Sequence, residues 1–452
     1  MSVIIIGGGI SGLSLAYFLL ERNPSLDITL LEAEKKAGGK IWTDKTEGFL
    51  CEGGVNGFLD NRPKTLELAA NLSLEPLRSS DNARKRYIFS NGRLNRLPES
   101  PPAFFSSNLL SVTGRLRIIL EMVVPKWNGG DETLAHFAQR RLGREAYEKL
   151  IDPMASGIFA GDPEKMSLKS CFPKVFNLEQ KYGSLIRGMI KLQKEAKRTG
   201  KKVGAGPGGV LTSFHEGMET MINALTDFLG TRIKTGSPAV AIEKNSNGYI
   251  VYLKDGTRLE ASGVVCATPA FNTAELVENL DKKLASILRE IFYPSISVVC
   301  LGYRKEKIKR SLDGFGFLIP FREGRNILGT LWDSSIFPNR APEGHVLLRT
   351  MLGGARRSAL AEENEEKLIN LVMEELQDIM GISAQPDFAR VYTHRNGIPQ
   401  YPAGHGNRLQ LIDNIINKIN KLYITGNAYH GIGVNDCIEN SYKLAETIVK
   451  GI

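Results

Sequence analysis

Four β-branched residues followed at once by three glycines constrain this chain more than any other feature. Val3-Ile4-Ile5-Ile6 reads as a short, fully buried strand, and Gly7-Gly8-Gly9-Ile10-Ser11-Gly12 sets glycines at the first, third and sixth positions of GxGxxG. Residues 13–21 have helical apolar spacing, Asn23-Pro24 stops them, and residues 27–31 form a second strand closed by Glu32, twenty residues beyond Gly12. Each part has a physical reason. Gly7 permits the tight turn, Gly9 lets backbone approach a pyrophosphate, and Gly12 lets helix and strand pack closely. The helix N-terminus offers free N–H groups to the phosphates, and Glu32 is placed to accept from ribose hydroxyls. A dinucleotide is the expected ligand.

Two more glycine-rich turns follow in quick succession, Ala37-Gly38-Gly39-Lys40-Ile41-Trp42-Thr43 and Gly48-Phe49-Leu50-Cys51-Glu52-Gly53-Gly54-Val55-Asn56-Gly57-Phe58. A simple NAD fold would continue with a helix here. Repeated glycines instead suit backbone packed against a large flat cofactor such as a flavin, because glycine has no Cβ.

At 452 residues the chain exceeds one hydrophobic core, so two or three units are expected. Hydrophobic residues at 42% and charged residues at 24% exclude disordered and collagen-like classes. Lys plus Arg is 58 against 49 for Asp plus Glu, a net charge of +9. That excess suits a carboxylate substrate, a nucleotide or an acidic membrane face without selecting among them. Five scattered cysteines without CxxC argue for a reducing compartment, and six histidines without HxxxH or HExxH give no metal site. Basic clusters lack interleaved aromatics, so no nucleic-acid partner is expected. No targeting peptide and no membrane-spanning segment are expected either, since the apolar run at residues 118–124 is short and broken by Glu121.

Taken in order, GxGxxG, the acid and the Gly-Gly-Lys turn resemble the FAD-dependent amine oxidase superfamily. The stretch Leu422-Tyr423-Ile424-Thr425-Gly426-Asn427-Ala428-Tyr429-His430-Gly431-Ile432-Gly433-Val434-Asn435-Asp436-Cys437-Ile438 resembles the ending of its protoporphyrinogen oxidase family. So do Arg86-Tyr87-Ile88-Phe89, Gly157-Ile158-Phe159-Ala160-Gly161-Asp162, Gly314-Phe315-Gly316-Phe317-Leu318-Ile319-Pro320, Met351-Leu352-Gly353-Gly354 and Gly397-Ile398-Pro399-Gln400-Tyr401. The likeness runs nearly end to end.

This resemblance implies an α/β fold: a Rossmann-like FAD-binding domain of amine-oxidase type, an inserted substrate-binding domain, and a mainly helical insertion open to membrane contact. The FAD domain is expected to be discontinuous, at residues 1–75, 205–270 and 405–452. The helical insertion is expected at 85–204 and the substrate domain at 275–400, with the glycine-rich stretch at 204–209 as a hinge. FAD would lie on Gly7, Gly8, Gly9, Ile10, Ser11, Gly12, Glu32, Ala33, Lys40, Gly54, Val55, Asn56 and Gly57. The backbone of Val240 would meet the adenine, and Asn427, Ile432, Gly433 and Val434 would sit beside the flavin ring, with Asn56 a polar contact and not a base.

The implied reaction, in haem biosynthesis, is oxidation of protoporphyrinogen IX to protoporphyrin IX by FAD in three two-electron steps. O2 is the implied acceptor, giving H2O2. No catalytic side chain is assigned, because the cofactor carries the redox chemistry. Arg86 matches the family's arginine near a propionate, Phe315, Leu318 and Met351 match apolar pocket positions, and Gly157 leaves room for the macrocycle. Arg86 as a plain surface arginine and the three apolar residues as plain core remain alternatives. A basic amphipathic face at residues 184–202 is either peripheral membrane contact on the inner face of the cell membrane or a solvated helix. A cytoplasmic protein, with a homodimer left open, completes the expectation. The rivals are oxidation of coproporphyrinogen III to coproporphyrin III, an amine oxidase or carotenoid desaturase, and a flavin-free carrier resembling Rab GDP-dissociation inhibitors.

Overall fold

A computed structural model describes residues 2–199 and 209–451. The opening apolar run forms the strand Ser2–Ile6, the centre of a five-stranded parallel sheet. Its strands lie in the order Ile233–Lys234, Asp27–Leu31, Ser2–Ile6, Gly263–Cys266, Leu422–Ile424. A parallel strand covered on both faces needs apolar residues at every position, which explains the uninterrupted run. Val3 and Ile5 face one core, made with the helices Ile10–Arg22, Glu219–Leu229 and Val434–Lys450. Ile4 and Ile6 face a second, made with the antiparallel strands Ala239–Asn245, Gly248–Leu253 and Arg258–Ala261 and the helices Ala270–Val277 and Lys282–Arg289. Lys254-Asp255-Gly256-Thr257 turns between the second and third of these strands, with Asp255 Oδ1 accepting from Thr257 N at 2.9 Å.

A separate seven-stranded sheet has the order Phe388–His394, Ile296–Arg304, His345–Gly353, Ile327–Leu331, Gly316–Leu318, Tyr87–Ser90, Arg93–Arg96. Every pairing is antiparallel except Gly316–Leu318 with Tyr87–Ser90. One face is buried under the helix Glu365–Met380 through Leu368, Val372, Leu376 and Ile379. That helix is capped at its start by Asn364 and ends at left-handed Gly381. The opposite face, through Val298, Cys300 and Leu347, meets Phe49 and Cys51 of the hairpin Thr43–Thr46/Phe49–Glu52.

The segment from residue 85, read as the start of a helical insertion, first contributes two strands to this sheet. Asn91 and Gly92 both have positive φ, 56° and 73°, and close the two-residue hairpin that joins those strands. The helices follow. Leu134–Leu142, Asp152–Phe159 and Leu168–Cys171 share a small core of Leu134, Phe137, Ala155, Phe159, Met166 and Leu168. Arg141, fully buried beside it, is paired with Glu121 at 3.0 Å and Glu179 at 2.6 Å. The basic helix runs Leu185–Thr199 and turns Leu185 onto the same core. Lys201, Lys202 and most of the expected hinge, 204–208, lie outside the described residues. No helix among the described residues is long and apolar enough to cross a membrane.

Candidate functional site

The N-terminal turn divides its glycines between two tasks. A Cβ on Gly12 would stand 2.0 Å from the Gly7 carbonyl oxygen, so close packing of helix on strand excludes any side chain there. Gly9, at the N-cap of Ile10–Arg22, is different: nothing lies within 4 Å of where its Cβ would stand. That helix has no side-chain cap and no acid in its first turn, so its N–H groups and positive dipole end face open space. Such an end receives phosphate. Glu32 is buried at the rim, with Oε2 accepting from Gly8 N at 2.7 Å and Oε1 from Glu34 N at 2.9 Å. Each oxygen keeps a further lone pair for a hydroxyl. Ala33 beside it is exposed. Val240 is skipped by the ladder, which pairs Ala239 with Leu253 and Ala241 with Tyr252, and the residue is 47% exposed. Its backbone therefore stands outside the sheet's pairing.

In the 53–57 turn, Cβ atoms at Gly53, Gly54 and Gly57 would meet the Trp42 ring, the Lys40 carbonyl oxygen and the Thr212 carbonyl oxygen at 2.3, 2.2 and 2.6 Å. On the side where a side chain would stand, these glycines are packed against protein. Lys40 directs its ammonium onto the carbonyls of Asn396 and Gly397, 5.4 Å from the Tyr293 ring centroid, and burial lowers its pKa to about 8. Val55 packs on the same core as Val434.

Behind this turn lies a buried polar network that no local motif announces. Arg349 donates through Nε to Glu52 O at 3.1 Å and through its terminal nitrogen to Gly54 O, and His394 Nε2 donates to Gly53 O at 2.7 Å. Three consecutive carbonyls are thus fixed from the seven-stranded sheet. Burial lowers the His394 pKa, with Lys40 and Arg349 adding to the effect. Arg340 reaches Ser213 Oγ at 2.8 Å and Glu52 at 3.4 Å; burial raises the Glu52 carboxyl to about 7. Asn56 Nδ2 donates to Asp333 Oδ1 at 3.2 Å. These partners are 127 to 341 positions apart in sequence, and only the fold brings them together.

The first and last motifs also meet. Ser441 Oγ donates to Ser11 O at 2.8 Å, and Asn435 Nδ2 to Leu59 O at 2.9 Å, which lays Val434–Lys450 beside Ile10–Arg22 and the 53–57 turn. The turn carrying Asn427, Ile432 and Gly433 is held by Tyr401, whose buried hydroxyl donates to Asn427 O and accepts from Gly431 N at 3.1 Å. Gly433 N donates to Asp436 Oδ2 at 3.3 Å, and Ile432 packs on the core of the helical insertion. The residues fit a flavin dinucleotide: an uncapped helix end at Gly9, a buried acid at Glu32, and buried acceptors Asn56 Oδ1 and Asn435 Oδ1 that meet no donor among the described residues.

The expected substrate residues fall into two contacts around the interior strand Gly316–Leu318. Arg86 stands 5.1 Å from the Phe315 ring centroid and has no ion-pair partner among the described residues. A Cβ on Gly157 would meet Leu318 Cδ2 at 2.6 Å. Leu318 pairs with Gly329, and Gly329 with Met351, so the two apolar side chains flank a position without one on the same face. Arg349, two residues before Met351, shares that face.

The description "Flavin containing amine oxidoreductase" belongs to the protein family that matches this chain over residues 10–449. The coproporphyrinogen III oxidase of Bacillus subtilis (strain 168) is 31% identical over 97% of this chain and 95% of its own length. The chloroplastic protoporphyrinogen oxidase of Oryza sativa subsp. japonica is 32% identical over 98% of this chain and 87% of its own. A crystal structure from Exiguobacterium sp. 255-15, of a protein provisionally assigned as a protoporphyrinogen oxidase, superposes with a TM-score of 0.85 at 26% identity. It covers 99% of this chain and 98% of that one.

Proposed function

Because this chain belongs to the flavin-containing amine oxidoreductase family, we propose that it oxidises a porphyrinogen in haem biosynthesis, protoporphyrinogen IX to protoporphyrin IX. The observation that carries the substrate is Arg86, a cation with no ion-pair partner among the described residues, standing on an aromatic face at the edge of an apolar surface made by Leu318, Met351 and the gap at Gly157. A large apolar disc edged with propionates has that chemistry.

Bound FAD supplies the two-electron acceptor, used three times per macrocycle. The uncapped helix at Gly9 and the acid Glu32 hold its dinucleotide portion, and the Val240 backbone meets the adenine. Arg349 and His394 hold the 52–54 carbonyls, and Tyr401 holds the 427–431 turn, so the walls around the ring are set before substrate arrives. Leu318 and Met351 shed water from the macrocycle while Arg86 fixes its edge. The oxidant that regenerates the site is O2, giving three H2O2 per porphyrin.

Coproporphyrinogen III is the second reading, favoured by the Bacillus subtilis relative. The flavin-free carrier loses its basis with membership of a flavin-containing family. We also propose peripheral membrane contact, on a surface other than the basic helix, for which the sequence leaves membrane contact and a solvated face both open. Val112, Leu116, Leu120 and Val123 are 64, 54, 54 and 71% exposed at near-helical spacing along Val112–Ile119 and the turn after it. A cytoplasmic homodimer is the assembly proposed with it, readable by sedimentation.

The test is an aerobic assay with protoporphyrinogen IX. Enzyme-dependent porphyrin fluorescence with three H2O2 per porphyrin is expected. Porphyrin without H2O2 would overturn the acceptor, and no acceleration over autoxidation would overturn the reaction.

A further inference from the structure

Asp333 opens the one-turn helix Asp333–Ile336 and is fully buried. Its Oδ1 accepts from Asn56 Nδ2, and its Oδ2 and Asn56 Oδ1 are buried and meet no partner among the described residues. Burial pushes the Asp333 carboxyl up from its ordinary range, with Arg349, Arg340 and the Asn56 hydrogen bond opposing the shift. That hydrogen bond turns the Asn56 NH2 toward Asp333 and leaves the amide's carbonyl oxygen facing away from it. A buried carbonyl oxygen left without a donor is destabilising, because its desolvation goes uncompensated. Such an orphan acceptor, in the turn whose 52–54 carbonyls are clamped by Arg349 and His394, calls for a donor that the described residues do not provide.

We propose that Asp333 is a positioning residue: it fixes the Asn56 amide so that Oδ1 accepts a hydrogen bond from a ring N–H of the bound ligand. Two sources carry that chemistry, a pyrrole N–H of the porphyrinogen and the imide N–H of the flavin. The inference rests on the flavin and porphyrinogen reading of the site and adds to it the way one polar contact is oriented. No covalent or redox step is assigned to Asp333.

A double-mutant cycle tests this on the FAD-loaded protein, with Asp333→Asn, Asn56→Leu and both together. The readouts are KM for protoporphyrinogen IX, Kd for FAD by fluorescence quenching, and the visible flavin spectrum. Asp333→Asn frees the amide to turn over, and Asn56→Leu removes the acceptor. Each should raise one binding constant roughly three- to tenfold, the range of a neutral hydrogen bond. The double variant should match Asn56→Leu alone, because Asp333 acts only through Asn56. A change in KM with unchanged FAD affinity identifies the pyrrole; a change in FAD Kd with a shifted spectrum identifies the flavin. Effects that add, or single variants that leave both constants unmoved, overturn the proposal.

Should Asp333→Asn or Asn56→Leu fail to fold, the exchange Asn56→Asp with Asp333→Asn decides. It reverses the hydrogen bond yet still offers an acceptor, so restored binding supports the assignment and none refutes it. A wild type that retains no FAD and oxidises no porphyrinogen removes the site reading and this inference together. A working wild type with an additive cycle removes this inference alone.

Discussion

Replacing Gly9 by alanine separates the cofactor's demand from the fold's. Gly9 has φ −77° and ψ 177°, a conformation alanine adopts, and its absent Cβ would stand in open space. The apoprotein should therefore be unharmed, and by restricting the unfolded chain the alanine should stabilise it by about 0.4–1 kcal/mol. The new methyl occupies the approach to the uncapped N–H groups of Ile10–Arg22, where the pyrophosphate is proposed to lie. Losing one charge-assisted hydrogen bond costs about 1.5–3 kcal/mol, or roughly 10- to 150-fold in affinity. Urea unfolding of the apoprotein and fluorescence titration with FAD read the two effects separately. Gly12→Ala is the contrast, since its Cβ would fall 2.0 Å from a backbone oxygen and should damage the apoprotein itself. An unchanged FAD Kd in Gly9→Ala, or a destabilised apoprotein, would refute the reasoning.

Arg86→Ala should raise KM for the porphyrinogen roughly tenfold or more and leave FAD affinity unchanged; equal loss of both would remove the propionate role. Glu52 is raised from its ordinary 4.5 to about 7 by burial, so its contribution to stability is full below about pH 4.5 and is lost as pH rises through 7. The urea midpoint of the wild type should consequently fall from pH 5 to pH 8 relative to that of Glu52→Gln, and parallel profiles would contradict this. Leu116→Glu with Val123→Glu should abolish co-sedimentation with anionic phosphatidylglycerol vesicles while porphyrin formation in detergent persists. Retained binding would move the membrane contact elsewhere.

The N-terminal half of the site was legible because it is local. Strand, turn, helix, strand and acid occupy residues 2–32, and each takes the element its side chains favour. The C-terminal turn was legible as a motif, though its partner Tyr401 was not assigned a task. Arg349, His394, Arg340 and Asp333 were hidden because they act on carbonyls and side chains far away in sequence, and a lone buried arginine leaves no periodic trace. The protein neighbours of the glycines at 53, 54 and 57 were not legible, since a missing Cβ reveals a close approach but not what approaches. Asn91-Gly92 was a hairpin signal in a segment read as helical, and it carries two strands into the sheet beside the substrate residues.

The central claim is that this chain passes electrons from a porphyrinogen to its own flavin, and anaerobic mixing tests it most directly. Purified yellow protein would be mixed without oxygen with protoporphyrinogen IX and, separately, with coproporphyrinogen III, while the flavin absorbance is followed. Rapid bleaching, faster with protoporphyrinogen, is predicted, with porphyrin fluorescence growing when air is admitted. Faster bleaching with coproporphyrinogen would transfer the assignment to that substrate, and a flavin that stays yellow with both would contradict the account.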